Sequence, residues 1–399
     1  MKSKIILVIV LCFFTATCTT LSDKKREIVE IDILKGYQNV RDFKLSEIVS
    51  DVSYVKLETL PNAHFSLGIP IIHNQYILIK AVRENRLILF DSSGKFIRII
   101  GRQGKGPGEF LGFQDVYFHP KDPKILVHDE NSKKILVYSI EGKYLDEFNY
   151  STHYKRAFQK VFFNRECDIQ VVLGRPDQQV VDFPLVRILD STFQEKKQYH
   201  YITNESIAKG NRTGFSNYWI DNGELFLQEF YYDTVYRHHE DGLSALFKIN
   251  LGENHTPTFY IANNPGVWVY NSILYLRSIG DYFLLYAHLP KLGEERIPLV
   301  YNIKSNQLFR PKKPKTKFLS NEDLQGINND IDGFGEVIIV DTWEGKIAEV
   351  LNIIDLQEAI EKEQLEFDIT HPEKREQLIE MFRNMDPEDN PIVRIFTVK

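Results

Sequence analysis

Three stretches of the chain concentrate side chains that could do chemistry. Gly101-Arg102-Gln103-Gly104-Lys105-Gly106-Pro107-Gly108-Glu109-Phe110 brings glycines and a lysine together, the raw material of a phosphate loop. It lacks a Gly-Lys-Ser/Thr ending and no helical pattern follows, so that chemistry is excluded on context. Its glycines and proline suit a connection whose backbone turns tightly between two sheets. Asn328-Asn329-Asp330-Ile331-Asp332-Gly333 imitates the opening of a calcium loop, with oxygen side chains at alternate positions and a glycine after them. The bidentate acid that must close such a loop falls on Ile339, so Asp330 and Asp332 are expected to order a turn and are kept as candidate turn or site residues. His238-His239-Glu240-Asp241-Gly242 gathers potential ligands, but adjacent strand residues point to opposite faces and Glu-Asp-Gly reads as a hairpin tip. Neither an HExxH nor a GxSxG pattern occurs. The residues therefore name no catalytic group, no metal ligand and no cofactor.

Cysteines speak of location instead. Lys2 and Lys4 precede an apolar run from Ile5 to Phe14, too short to span a bilayer, which needs roughly 20 residues as a helix. The pattern is a secretory signal over residues 1–17. Thr15-Ala16-Thr17-Cys18 resembles the lipobox of a bacterial lipoprotein, which implies acylation of Cys18 after cleavage before it. The alternative is an ordinary cleavable signal in which Cys18 is incidental. Several acyl chains would give stable membrane anchoring, and residues 18–44 are then read as a polar tether. Cys12 lies in the signal, so Cys167 is left alone in the body, without a disulfide partner and with no local Cys-His signature; it reads as a buried bystander.

The chain of 399 residues is 43% hydrophobic and 26% charged, a globular balance that excludes disordered and collagenous classes. Its net charge is −6 and its single basic run, 312–317, is short, so no nucleic-acid partner is expected. From about Val52 short β-type runs alternate with turn residues. Residues 86–97 read as strand, Asp-Ser-Ser-Gly turn, strand, and residues 134–145 repeat that grammar. Weaker echoes follow at 185–196, 234–247 and 299–309. The recurrence is that of propeller blades, and bracketing yields six units: 70–100, 113–148, 158–199, 215–251, 266–310 and one from about 327. The last unit supplies strands at 336–342 and 346–351 and finishes at 392–398. An unpaired early strand at 52–58 is expected to share that blade and close the ring. Residues 355–385 carry a helical insert, with Thr370 and Glu373 as a capping box and Leu378, Met381 and Phe382 on one packing face. That face is expected to lie on the propeller, with docking of a partner as the alternative. Most aromatics, including the pairs Tyr218-Trp219 and Tyr231-Tyr232, are expected to fill the space between blades, the sharper alternative being a sugar-stacking platform.

The glycine string following a strand resembles NHL-type repeats and the six-bladed propeller lipoproteins of the Bacteroidetes, with Asp233-Thr234-Val235-Tyr236, the Asn329–Gly333 string and a tail starting Asp389-Asn390-Pro391 in agreement. The resemblance implies an all-β six-bladed propeller over residues 45–399, closed by strands from both termini, on a lipoprotein of the outer membrane carrying palmitate. It also implies that the glycine string joins the outer strand of one blade to the inner strand of the next, placing Arg102, Lys105 and Glu109 at the mouth of the central channel as candidate ligand contacts. The resulting reading is an exported, lipid-anchored, monomeric binding or scaffolding module for a glycan, peptide or protein. The rival is a hydrolase, lyase or lactonase whose site is assembled at the channel mouth, one residue per blade. Converging acids, histidines or asparagines would favour the enzyme, and a wall of aromatics would favour binding.

Overall fold

The computed structural model describes residues 28–154, 158–173, 182–202, 216–221, 223–229, 234–239, 242–252, 272–313, 325–339, 342–361, 365 and 368–399. The leader, Cys18, Tyr231-Tyr232, Asp233 and the end of the basic run lie outside the described residues.

The expected hairpins form and assemble into six blades. Blade 1 runs Gly68–His73, Tyr76–Ala81, Arg86–Asp91 and Phe96–Ile100, each strand hydrogen-bonded to the next. Its two middle strands are buried on both faces, through Leu78, Ile79, Leu87, Ile88 and Leu89, because a blade has a neighbour on either side. Blade 2 (Asp115–Phe118, Lys124–Asp129, Lys134–Ser139, Tyr144–Asn149) and blade 3 (Phe158–Phe163, Ile169–Leu173, Asp182–Leu189, Glu195–Ile202) repeat this order. So do blade 4 (Ser216–Asp221, Glu224–Glu229, Thr234–His239, Gly242–Asn250) and blade 5 (Ser272–Ile279, Tyr282–Leu289, Glu294–Asn302, Gln307–Pro311). Large side chains pack between blades as expected: Phe226 of blade 4 lies 6.3 Å from Phe283 of blade 5 between ring centroids, and Trp219 is buried in the same cluster.

Blade 6 closes the ring. Ile392–Val398 lies between Lys346–Leu351 and Val49–Lys56, antiparallel to both, with Phe396 opposite Val52 and Arg394 opposite Tyr54. Of the strand expected over 336–342, the described residues pair at Glu336–Val337, with Ile327–Asn328. Gly333 and Gly335, just before it, adopt positive φ, 74° and 64°. Ile331, Phe334, Val337 and Ile339 are buried in one core cluster.

Two further differences concern the ends. Residues 28–44, assigned above to the tether, are ordered against the ring. Val29–Asp32 adds a parallel fifth strand to blade 4 and Val40–Arg41 does so for blade 5, with helix α1 (Ile33–Gln38) between them. Apolar Ile31 and Ile33 are buried in that strap, which a solvated tether would have left exposed. The insert comprises α2 (Ile353–Glu361) and α3 (Pro372–Arg383). Leu378 is buried, and Met381 and Phe382 pack against the blade 6 core as expected. The capping box does not form: His371 occupies the cap of α3, and the backbone N–H and hydroxyl of Thr370 both donate to the Asp330 carbonyl, at 2.7 and 3.1 Å.

Candidate functional site

The inner strands of blades 1 to 4 all end at the same mouth of the central channel. His73 ends the first, Phe118 the second, Phe163 the third, and Ile220 lies one residue before the end of the fourth. Blade 6 answers with a tight turn in which Trp343 and Lys346 exchange backbone hydrogen bonds of 2.8 Å across Glu344 and Gly345. Both turn residues have positive φ, 49° and 71°, the conformation of a two-residue hairpin, and this tips Trp343 and Glu344 onto the rim.

These ends enclose a cavity of about 290 Å³ whose walls include Tyr117, Phe118, Phe163 and Trp343. Tyr117 lies 5.6 Å from Trp343, and His73 stacks on Phe118 at 4.9 Å. His73 Nδ1 is paired with Glu344, which also accepts from the Asn74 backbone N–H at 3.2 Å. Asn164 and Arg165 come from the blade 3 hairpin. The Asn164 side-chain oxygen accepts from the Asp168 N–H at 2.9 Å, and Arg165 is paired with Glu224 at 2.8 Å. Beside the rim His119, T-shaped against Phe163 at 4.7 Å, is held below the usual histidine range by burial. Such walls can cover apolar ligand faces, with polar groups at the rim to orient them. Among the described residues, no group of three His, Cys, Asp or Glu side chains is arranged to hold a metal ion.

The glycine string does join the outer strand of blade 1 to the inner strand of blade 2, but its charged residues do not line this cavity. Inner strands end at the mouth and successive strands alternate, so the connection leaves blade 1 at the opposite end of the axis. Gly108 packs on Tyr144, and its carbonyl accepts from the Tyr138 hydroxyl at 2.9 Å, both residues of blade 2's outer strands. Glu109 is held in place by Arg102 Nε at 2.6 Å and by the Gly106 N–H at 2.8 Å, and the latter contact is the main reason its carboxyl lies below the usual range. Arg102 and Lys105 are exposed on the same connection. Arg102, Lys105 and Glu109 thus lie at the end of the axis opposite the aromatic cavity, and none of them lines it.

Asp330 and Asp332 are turn residues with a structural task. Asp330 accepts from the Ser46 N–H at 2.9 Å and from its hydroxyl at 2.6 Å. Asp332 is fully buried against Arg394, 3.1 Å away, and accepts from the Tyr54 hydroxyl at 2.5 Å. Cys167 is half-buried, not buried, and occupies a left-handed position (φ 69°) in the blade 3 hairpin. His238 and His239 are separated by strand alternation, His238 half-buried and His239 exposed. The mouth leaves no local sequence signal, since its residues come from the hairpins of five separate blades.

The sheet order and the shared mouth define a six-bladed β-propeller with an aromatic-walled channel entrance. The chain belongs to the DUF4934 family, a domain of unknown function, whose model matches residues 28–397. Among solved structures it is similar to a Bacteroides fragilis NCTC 9343 protein inferred to be exported, at 16% identity and a TM-score of 0.64, covering 93% of this chain and 99% of that one. A Bacteroides vulgatus member of the DUF4221 family follows at 11% identity and a TM-score of 0.48, covering 88% and 97%. A Staphylococcus aureus virginiamycin B lyase matches at 13% identity and a TM-score of 0.40, covering 66% and 74%. No curated protein matches the chain.

Proposed function

We propose that the protein is an exported, lipid-anchored propeller that binds a glycan, peptide or protein at its channel mouth without catalysing a reaction. The observation that carries the binding is the wall of Tyr117, Phe118, Phe163 and Trp343, drawn from three blades around one cavity. Export is supported by the leader pattern of residues 1–17 and by the inferred export of the Bacteroides fragilis relative. No helix of the described residues is long and apolar enough to cross a membrane. The lipobox-like Thr15-Ala16-Thr17-Cys18 string supports attachment through acylated Cys18, in the outer membrane.

An enzyme reading has one observation behind it, the convergence of His73, Asn164 and Glu344 on the same cavity. His73 and Glu344 are committed to each other, and Asn164 to its own hairpin, so the binding reading is preferred.

The test is to titrate oligosaccharide and peptide pools into the protein while following tryptophan emission. Trp343→Ala and Tyr117→Ala should each weaken a ligand so found at least about fivefold, the value of an aromatic contact of ~1 kcal/mol. Unchanged affinity in both variants would sink the site. Consumption of the ligand, abolished by His73→Ala, would replace binding by catalysis. Labelled palmitate should be incorporated by the native chain and lost in Cys18→Ala, which should leave the membrane fraction; an unlabelled native chain removes the anchor and leaves the channel reading intact.

A further inference from the structure

A second cavity, of about 430 Å³, lies between blades 3 and 4, separated from the channel mouth by the blade 3 hairpin. Its size falls in the ~300–1,000 Å³ range of small-molecule sites. Of its three carboxylates, Asp168 holds Lys196 at 2.5 Å and Glu224 holds both Arg165 and Arg237, with Glu166 as the third. His238 is in a different situation. The side-chain amide of Gln170 lies 3.4 Å from its Nδ1 and donates to it, which leaves the imidazole proton on Nε2. That Nε2 is buried and has no hydrogen-bond partner.

A buried donor without an acceptor is rare, and one facing a cavity points to a group that arrives from outside. The charged neighbours of the ring define what that group is. Burial first, then His239 and Lys197, hold His238 down at about 4. Tyr199 fixes the ring from the side, edge-on at 4.3 Å, and Lys197 Nζ sits 4.8 Å from the Tyr199 ring centroid. The unpartnered donor and the Lys197 side chain thus line one cavity, where an anionic acceptor would take a hydrogen bond beside an ammonium group.

We propose that this cavity is a second binding site, for a small molecule bearing a carboxylate whose oxygen accepts from His238 Nε2 beside Lys197 and His239. The site is distinct from the channel mouth, and the two readings stand or fall separately.

Calorimetric titration of the purified full chain with glucuronate, N-acetylalanine and glucose tests it. At least one of the two carboxylates should bind, with glucose at least about tenfold weaker, as loss of a charge-assisted hydrogen bond requires. His238→Gln should cost a similar factor and Lys197→Gln a smaller one, with both variants checked for an unchanged melting profile. Binding of glucuronate alone identifies an acidic sugar as the ligand class. Binding of N-acetylalanine alone identifies an amino-acid or peptide carboxylate, and binding of both shows that the carboxylate itself is read. Absence of binding by either acid, equal binding of glucose, or full affinity in two folded variants would overturn the proposal.

Discussion

Gly108 and Arg102 belong to one connection, yet burial and backbone geometry make them unequal. Gly108 has φ +67°, and a Cβ there would meet the Tyr144 ring at 2.7 Å. Gly108→Ala should therefore lower stability by at least about 1 kcal/mol, from strain at positive φ with steric conflict added. The Arg102 side chain is 80% exposed, so Arg102→Ala should leave the melting temperature nearly unchanged. Thermal melts of the two variants decide; the reverse order would mean that the charges, not the glycine, shape the connection. A second residue-scale contrast lies at the joint of blades 2 and 3. Asp115 accepts from Lys160 Nζ at 2.6 Å and from the Val161 N–H at 3.0 Å, and it faces His128 Nδ1 at 3.0 Å. Burial alone would push its carboxyl up, but Lys160 and His128 outweigh burial and hold it at about 2. The folded value lies below the unfolded ~3.9, so its stabilisation is complete above that pH and fades as pH falls towards 2. In urea melts the stability gap between the native chain and Asp115→Asn should shrink by about 2 kcal/mol between pH 5 and pH 2. A gap that stays constant would show that the carboxylate is not held by these partners.

At the scale of elements, the outer hairpins share one turn grammar with an informative exception. Asp91 accepts from the Ser93 and Lys95 N–H groups at 2.9 and 3.0 Å, and Gly94 supplies φ +87°. Asp190 binds Thr192 and Gln194 in the same way, at 2.8 and 3.0 Å, but Phe193 takes the left-handed position at φ 61°. Its ring is buried and stacks on Phe148 at 5.1 Å, so packing across the blade boundary offsets the backbone strain. Phe193→Ala keeps the strain and loses the ring, and should destabilise by about 3 kcal/mol. Phe193→Gly relieves the backbone and should lie about 1 kcal/mol above it in thermal melts; an alanine variant more stable than the glycine one would refute this account. The same residue explains why blade 3 is a weak echo in the sequence. Hairpins closed by Gly94 and Gly142 announce themselves by residue type, whereas a turn closed by a phenylalanine is visible only once its packing partner is known. The channel mouth was illegible for a related reason: His73, Phe118, Phe163 and Trp343 are ordinary strand-end residues until the ring brings them together. Arg102, Lys105 and Glu109 drew attention because glycines flank them, and those glycines answer to the crossing between blades. Asp330 and Asp332 were legible as turn formers, but the burial of Asp332 against Arg394 depends on a strand more than sixty positions away.

The whole molecule is held as a ring by one strand with two duties. Ile392–Val398 occupies the middle of blade 6, so its removal would strip Lys346–Leu351 and Val49–Lys56 of their shared partner and open two sheet edges. It also carries Arg394, whose guanidinium is buried, meets Asp332 at 3.1 Å and donates to the Phe334 carbonyl at 2.8 Å. Leaving Asp332 buried without its cation costs roughly 3–5 kcal/mol, a large share of the ~5–15 kcal/mol by which domains are stable. The N-terminal strap offers the control. It too adds strands, but at the outer edges of blades 4 and 5, where no other strand depends on it. A chain beginning at Phe43 loses the burial of Ile31 and Ile33 while keeping Val49–Lys56 and the closure of the ring. Deletion of residues 392–399 should therefore drive the protein into aggregates by light scattering, whereas the chain beginning at Phe43 should elute as a folded monomer with a lowered melting temperature. Equal behaviour of the two truncations would mean that edge protection, and not ring closure, governs the integrity of the propeller.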